Sequence, residues 1–266
     1  GGISASYDAI QNRLFLYIAD TGNHRVRRVD ALAGTISTIA GTGAAGSAGD
    51  DGPASGAQLN TPRSISADNS QSIYIADQGN NRVRKVSSAT GIITRFAGGG
   101  NAETNPDPTK IQLLSPEGVC VNATGDVFIA DTGAHKIRKV NAAGVLSLVA
   151  GSGMQGYSGD GGSATVARLN SPGGVTADAA GNVYIADTGN HRLRLVNIHD
   201  GKISTMAGTA GGYNGDGQPA VQAQLSSPAG VAPVMATGGG RIFISDANNN
   251  RIRMLFLKTV REVYGP

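Results

Sequence analysis

Residues 174–206 set the pattern from which the rest of the chain can be read. Apolar runs alternate with polar punctuation: Gly174-Val-Thr-Ala-Asp178, Asn182-Val-Tyr-Ile-Ala186, Arg192-Leu-Arg-Leu-Val196 and Lys202-Ile-Ser-Thr-Met206. Each run is strand-length, rich in β-branched, aromatic or long apolar residues, and bounded by Gly, Asn or Asp. Four such runs joined by short turns predict one small antiparallel sheet.

The pattern recurs. Tyr17-Ile-Ala-Asp20-Thr-Gly-Asn-His-Arg25 returns as Tyr74-Ile-Ala-Asp77-Gln-Gly-Asn-Asn-Arg82, Phe128-Ile-Ala-Asp131-Thr-Gly-Ala-His-Lys136 and Tyr184-Ile-Ala-Asp187-Thr-Gly-Asn-His-Arg192. A looser copy is Phe243-Ile-Ser-Asp246-Ala-Asn-Asn-Asn-Arg251. From Asp to Asp the spacings are 57, 54, 56 and 59 residues. A second marker keeps the same phase: Leu59-Asn-Thr-Pro62, Leu113-Leu-Ser-Pro116, Leu169-Asn-Ser-Pro172 and Leu225-Ser-Ser-Pro228. Two markers in phase define an internal repeat, and four-stranded units repeated radially describe a β-propeller. A stacked solenoid fits four antiparallel strands less well. The expected fold is all-β: one propeller domain of five four-stranded blades, approximately 2–42, 62–99, 116–152, 172–209 and 228–266. The last strand of the fifth unit is expected at Val260-Arg-Glu-Val-Tyr-Gly265. Five units either close on themselves or form part of a larger ring with a blade outside this segment.

Composition narrows the picture. The 266 residues include 40 Gly and 10 Pro, as a turn-rich fold requires, and only 15% charged residues, which argues against long helices. No apolar run reaches the ~18 residues of a membrane span, so no membrane insertion is expected. A single cysteine, Cys120, excludes an internal disulfide scaffold and a Cys-rich zinc site. The net charge of +3 does not by itself announce a nucleic-acid partner. The start at Gly1, without a leader, reads as a segment of a longer protein.

The string Ile-Ala-Asp-Thr-Gly-Asn-His-Arg-[Val/Leu]-Arg, with Gly159-Asp-Gly-Gly162 and Leu169-Asn-Ser-Pro-Gly-Gly-Val175, resembles the NHL-repeat family of β-propellers across essentially the whole chain. The resemblance implies the fold. It leaves function open, because the family includes RNA-binding, protein-interaction and extracellular sensor modules and, more distantly, lyases and lactone hydrolases.

In each hairpin an Asp ends the second strand and a basic residue opens the third. Asp20, Asp77, Asp131, Asp187 and Asp246 therefore face Arg25, Arg82, Lys136, Arg192 and Arg251 across the turn. The aspartates are expected to be structural, accepting turn N–H groups and pairing across strands; the competing reading is a charged ring for a ligand. The second turn residue, Gly22, Gly79, Gly133, Gly189 or Asn248, suits positive φ. Arg27, Arg84, Arg138, Arg194 and Arg253 recur in the third strands and are expected to bridge blades with buried stems and paired heads. His24, His135 and His191 share one turn position but lie on different blades, so they fit turn capping better than zinc. Gly41-Thr-Gly-Ala-Ala-Gly46 and Gly151-Ser-Gly-Met-Gln-Gly156 match a dinucleotide fingerprint, but a loop in phase with the repeat follows where a helix is needed. Asp246-Ala-Asn-Asn-Asn250 lacks the turn Gly and closing Glu of a calcium loop. Neither metal nor cofactor is implied, and Asn122-Ala-Thr124 is a candidate glycosylation sequon.

The connections between units run to about twenty residues, beyond the usual ~12–15 for structureless loops. Each Gly-Asp-Gly type piece precedes an Ala-rich stretch ending in Leu, which predicts one helical turn with the Leu tucked beneath. Strand alternation places these connections on the same face as the His-bearing turns, so this face is the expected recognition surface. Arg25, Arg82, Lys136, Arg192 and Arg251 are its candidate contacts, with Tyr157 and Tyr213 as anchors. The leading expectation is a non-enzymatic binding or scaffold module for a protein partner or self-assembly, with a lean to an extracellular or cell-surface domain. The first alternative is single-stranded RNA binding: thirteen of the 22 Lys and Arg lie in third strands, whereas the turns lack aromatics for base stacking. The second is a lyase or lactone hydrolase, disfavoured because no axial acid or metal set stands out.

Overall fold

Each β-rich run pairs with the next along the chain, because the intervening turns are too short to reach elsewhere. The structure is a computed structural model that describes residues 1–9, 11–236 and 239–257. The first sheet holds β1 (Ile3–Asp8), β2 (Arg13–Asp20), β3 (Arg25–Asp30) and β4 (Thr35–Ala40) in that order. A two-residue strand, β5 (Gly52–Pro53), then precedes β6 (Pro62–Ala67), β7 (Ile73–Asp77), β8 (Arg82–Val86) and β9 (Ile92–Gly98), in the order β5-β9-β8-β7-β6. The third sheet runs through β10 (Gly118–Val121), β11 (Val127–Asp131), β12 (Lys136–Val140) and β13 (Leu146–Ala150). The fourth runs through β14 (Gly174–Ala177), β15 (Val183–Asp187), β16 (Arg192–Val196) and β17 (Ile203–Ala207). The fifth comprises β18 (Pro228–Ala236), β19 (Gly239–Asp246) and β20 (Arg251–Leu257). The fold is thus an all-β, five-bladed propeller with no α-helix among the described residues. The fourth strand expected at 260–265 lies outside them.

The chain forms two compact units, residues 1–134 with 138–148 and residues 135–137 with 149–266. In the first, Phe15, Tyr17, Ile65, Ile75 and Ile93 belong to one core cluster and Tyr74, Val83, Leu113, Ile129 and Val140 to another. In the second, Tyr184, Leu193, Leu225, Ile242 and Ile244 pack together. Every residue of β7, β11 and β15 is buried, which is why these strands read as unbroken apolar runs up to the terminal Asp.

The long connections are ordered by the blade that follows them. Ala54–Gly56, Ala164–Val166 and Ala220–Gln222 each form a single 3₁₀ turn, and Leu59, Leu169 and Leu225 are buried beneath. The 41–61 connection lays Gly52 opposite Ile93 on β9. In the 152–171 connection, Gly161 N–H donates to the Ile203 carbonyl on β17 at 2.8 Å. Even the divergent second connection, between β9 and β10, takes part in a bond, from Leu146 N–H to the Pro106 carbonyl at 2.8 Å.

Candidate functional site

The repeated Asp-x-Gly-Asn-His-Arg string builds a polar lattice where each hairpin meets the incoming connection. In the fourth blade Asp187 stands opposite Arg192 in register. Its Oδ1 accepts the Asn170 N–H at 2.8 Å, and its Oδ2 accepts Asn190 Nδ2 at 2.8 Å and Arg194 Nη1 at 3.3 Å. Asp77 accepts from Asn60 N–H at 2.7 Å and Asn80 Nδ2 at 2.7 Å. Asp131 accepts from Leu114 N–H and Arg138 Nε, both at 2.7 Å, and Asp246 from Ser226 N–H at 2.6 Å. The N–H groups these carboxylates satisfy belong to the preceding connection, not to the hairpin turn. Their charge partner is the second Arg of strand three; the basic residue directly opposite aims elsewhere. Asp20 has the loosest pair, 3.9 Å from Arg27.

That second Arg clamps the connection to its own blade. Arg84 and Arg194 are fully buried. Arg84 bonds Asp50 at 2.7 Å and the Gln58 carbonyl at 2.6 Å; Arg194 bonds Asp160 at 2.7 Å and the Ser158 carbonyl at 3.1 Å. Arg253 reaches Asp216 at 2.6 Å. The second connection, residues 99–117, lacks this Asp, and Arg138 takes the Glu103 carbonyl at 3.2 Å instead. The ladder between the third and fourth strands shifts beside Arg27, Arg84 and Arg194, where the fourth strand carries one extra residue, Ile39, Phe96 or Met206. The Asp of Gly-Asp-Gly is thus a counter-charge, which the sequence reading missed. Its signal was the constant 34-residue offset of Asp50 from Arg84 and of Asp160 from Arg194. Burial pushes Asp77 up to about 6 and raises Asp187 as well, against the pull of the amide bonds and the arginines.

Left-handed backbone falls on the last turn residue, not on the glycine: φ is 52° at His24, 53° at Asn81, 56° at His135, 57° at His191 and 53° at Asn250. His and Asn tolerate that region better than most residues, and here they also accept a hydrogen bond. His24, His135 and His191 Nδ1 take the N–H of Thr61, Ser171 and Ser227 at 3.1, 3.0 and 3.0 Å, while Asn81 Oδ1 takes that of Ser115 at 2.8 Å. The turn glycine serves close approach instead. A Cβ on Gly79 or Gly189 would sit 2.5 Å from the Asn60 or Asn170 side chain, whereas Gly22 has open space.

The five basic residues that open the third strands diverge. Arg25 donates to the Thr42 carbonyl at 2.8 Å, Arg82 lies 3.3 Å from Asp50, and Lys136 opens β12 half-buried. Arg192 and Arg251 meet the two tyrosines: their guanidinium carbons lie 3.8 Å and 4.0 Å from the ring centres of Tyr157 and Tyr213. The phenol hydroxyls bond Asp160 at 2.9 Å and Asp216 at 2.7 Å. Burial would raise Asp160, but bonds from Thr205 and Tyr157 and the charge of Arg194 hold it below the usual carboxylate range. The Tyr213 bond, with Arg253 nearby, does the same for Asp216. Each tyrosine remains 43% exposed, so two ordered Arg–Tyr–Asp stacks stand open on the connection side of the second unit. On the opposite turns, Asn122 Oδ1 is taken by Thr124 Oγ1 at 2.8 Å and Asp126 N–H at 2.9 Å.

The teneurin NHL domain profile matches residues 3–87, and the NHL repeat profile matches residues 113–140 and 169–194. The chain belongs to the NHL-repeat β-propellers. It is 28% identical over 282 residues to NHL repeat-containing protein 2 of Bos taurus, covering 94% of this chain and 38% of that protein. It is 30% identical over 264 residues to Protein SUPPRESSOR OF QUENCHING 1, chloroplastic, of Arabidopsis thaliana, covering 95% of this chain and 24% of that one. It therefore spans well under half the length of either relative. Among solved structures, a structural-genomics protein of unknown function from Bacteroides thetaiotaomicron superposes with a TM-score of 0.65 at 18% identity, over 95% of this chain and 58% of its own. The repeated Asp-x-Gly-Asn-His-Arg string is, in this geometry, the set of residues that closes a blade onto its connection.

Proposed function

We propose that this NHL propeller is a non-enzymatic binding module that docks a protein partner on the side of the long connections. The observation that carries the reading is the pair of half-exposed stacks, Tyr157 on Arg192 and Tyr213 on Arg251. Tyr and Arg dominate binding energy at protein interfaces, and side chains already held in place lose less freedom on docking. The aspartates beneath them are engaged by amides, hydroxyls and guanidinium groups, which suits a scaffold better than acid–base chemistry. RNA is the weaker reading. Arg84, Arg138 and Arg194 are buried in ion pairs and so are withdrawn from phosphates, and each tyrosine ring already stacks on a guanidinium where a base would compete.

The test compares immobilised wild type with the Y157A/Y213A double variant, both checked for fold by circular dichroism. A protein retained by wild type and weakened at least ~10-fold by the double change supports the reading. A partner indifferent to both changes, or micromolar binding of a uridine 20-mer that weakens steeply with salt, overturns it in favour of another surface or of RNA.

A further inference from the structure

In the first blade, as in the fifth, the second strand is lengthened on the side away from the long connections. β2 has 8 residues, against 5 in β7, β11 and β15. Its added residues, Arg13 to Phe15, overhang the turns of the second blade, and a pocket of about 590 Å³ lies between. That volume falls within the usual range for small-molecule sites. Its floor is apolar: Phe15, Ile73 and Val86 are 5%, 2% and 7% exposed. Ser88 and Gln71 contribute polar groups to the lining.

The charges of the pocket are not all matched. Asp30 is engaged by Arg13 at 2.7 Å and by the N–H groups of Leu32 and Ala33 at 3.0 Å each. Asp8 accepts the Gln11 N–H at 3.0 Å. Arg28 lies 5.0 Å from the Phe15 ring centre and beside the Tyr17 hydroxyl, with no carboxylate of the described residues within 4.0 Å of its nitrogens. The same strand position holds Lys85 in the second blade, 5.1 Å from the Tyr74 ring centre, Lys139 in the third, paired with Asp126 at 3.5 Å, Leu195 in the fourth and Met254 in the fifth. Arg28 thus lines a cavity with an apolar floor.

We propose that this pocket binds a small organic carboxylate, its apolar body on Phe15, Ile73 and Val86 and its carboxylate forked on the Arg28 guanidinium. Asp8 and Asp30 in the lining disfavour a doubly charged phosphate. The probe is phenylacetate, with phenylacetamide and inorganic phosphate as comparisons, titrated into the whole protein carrying labelled Ile and Val methyl groups. Saturable shifts at Ile73 and Val86 are expected with phenylacetate. Binding should weaken at least ~10-fold for phenylacetamide, for phosphate and for Arg28→Met, as loss of a charge-assisted bond requires. Absence of saturable binding, shifts confined to other methyls, or equal binding of acid and amide overturns the proposal. The last two readouts need no variant, so they stand even if Arg28→Met does not fold.

Discussion

His191 Nδ1 accepts the Ser227 N–H from a backbone at φ 57°, so its side chain must both tolerate left-handed backbone and supply an acceptor. Asn81 meets the same demands in the second blade. His191→Asn should therefore shift stability by no more than ~0.5 kcal/mol, while His191→Ala should cost about 1–3 kcal/mol for an unanswered N–H, read from urea unfolding. Asp77 carries a second prediction at this scale. Burial raises it from 3.8 to about 6, so between those values the folded state holds a proton that the unfolded chain has released. The contribution of this group is present below the lower value and lost as pH rises through the upper one. The stability of wild type minus that of Asp77→Asn should thus fall between pH ~4 and ~6.5; a rising difference would mean that the arginines outweigh burial. The identity of these residues was legible in the repeat, whereas their partners were not. The sequence shows Asp187 five positions before Arg192, but not that Arg194, two residues further along the regular ladder, is the arginine that reaches the carboxylate.

At the scale of the element, the hairpin turn and the connection form one closed unit. A Cβ on Gly189 would meet the Asn170 side chain at 2.5 Å, and Gly189 N–H donates to the Asn170 carbonyl at 2.9 Å. Gly189→Ala should cost about 1–3 kcal/mol by overpacking. Gly22→Ala, with nothing within 4 Å, should be neutral within ~0.5 kcal/mol. Equal thermal midpoints for the two variants would remove close approach as the reason for the glycine. Strands, turns and even the single helical turn in three of the connections were readable from runs of β-branched residues and from Gly, Asn and Ala punctuation. The positive φ was assigned to the wrong turn residue, because glycine advertises conformational freedom more loudly than His or Asn does. The Tyr–Arg stacks were only half legible. Tyr157-Ser-Gly-Asp160 and Tyr213-Asn-Gly-Asp216 repeat visibly, yet the partner of each ring lies in the following blade, 35 or more residues along the chain.

For the whole molecule, burial grades from strand to strand. β7 and β15 are buried throughout, while four of the six residues of β4 are exposed. Amide hydrogen exchange should therefore be slowest at Ile75 and Ile185 and at least ~100-fold faster at Ile36 and Thr38, because exchange reports local opening; uniform protection would contradict this layering. The insertion around residues 7–11 that lengthens β2 shows in the sequence, but the pocket beside Arg28 does not, since its lining comes from two neighbouring blades. The clamp formed by the second Arg has a consequence for how such chains can be recombined. Arg194 finds one counter-charge in its own blade and the other in Asp160, upstream of that blade's first strand. A cassette cut at Pro172, where the strand pattern begins, would carry the guanidinium and leave half of its neutralisation behind. One cut just after Ala150 would move both. The transplantable module of this propeller is a blade together with the connection that precedes it, out of step with the blade boundaries that strand counting alone suggests.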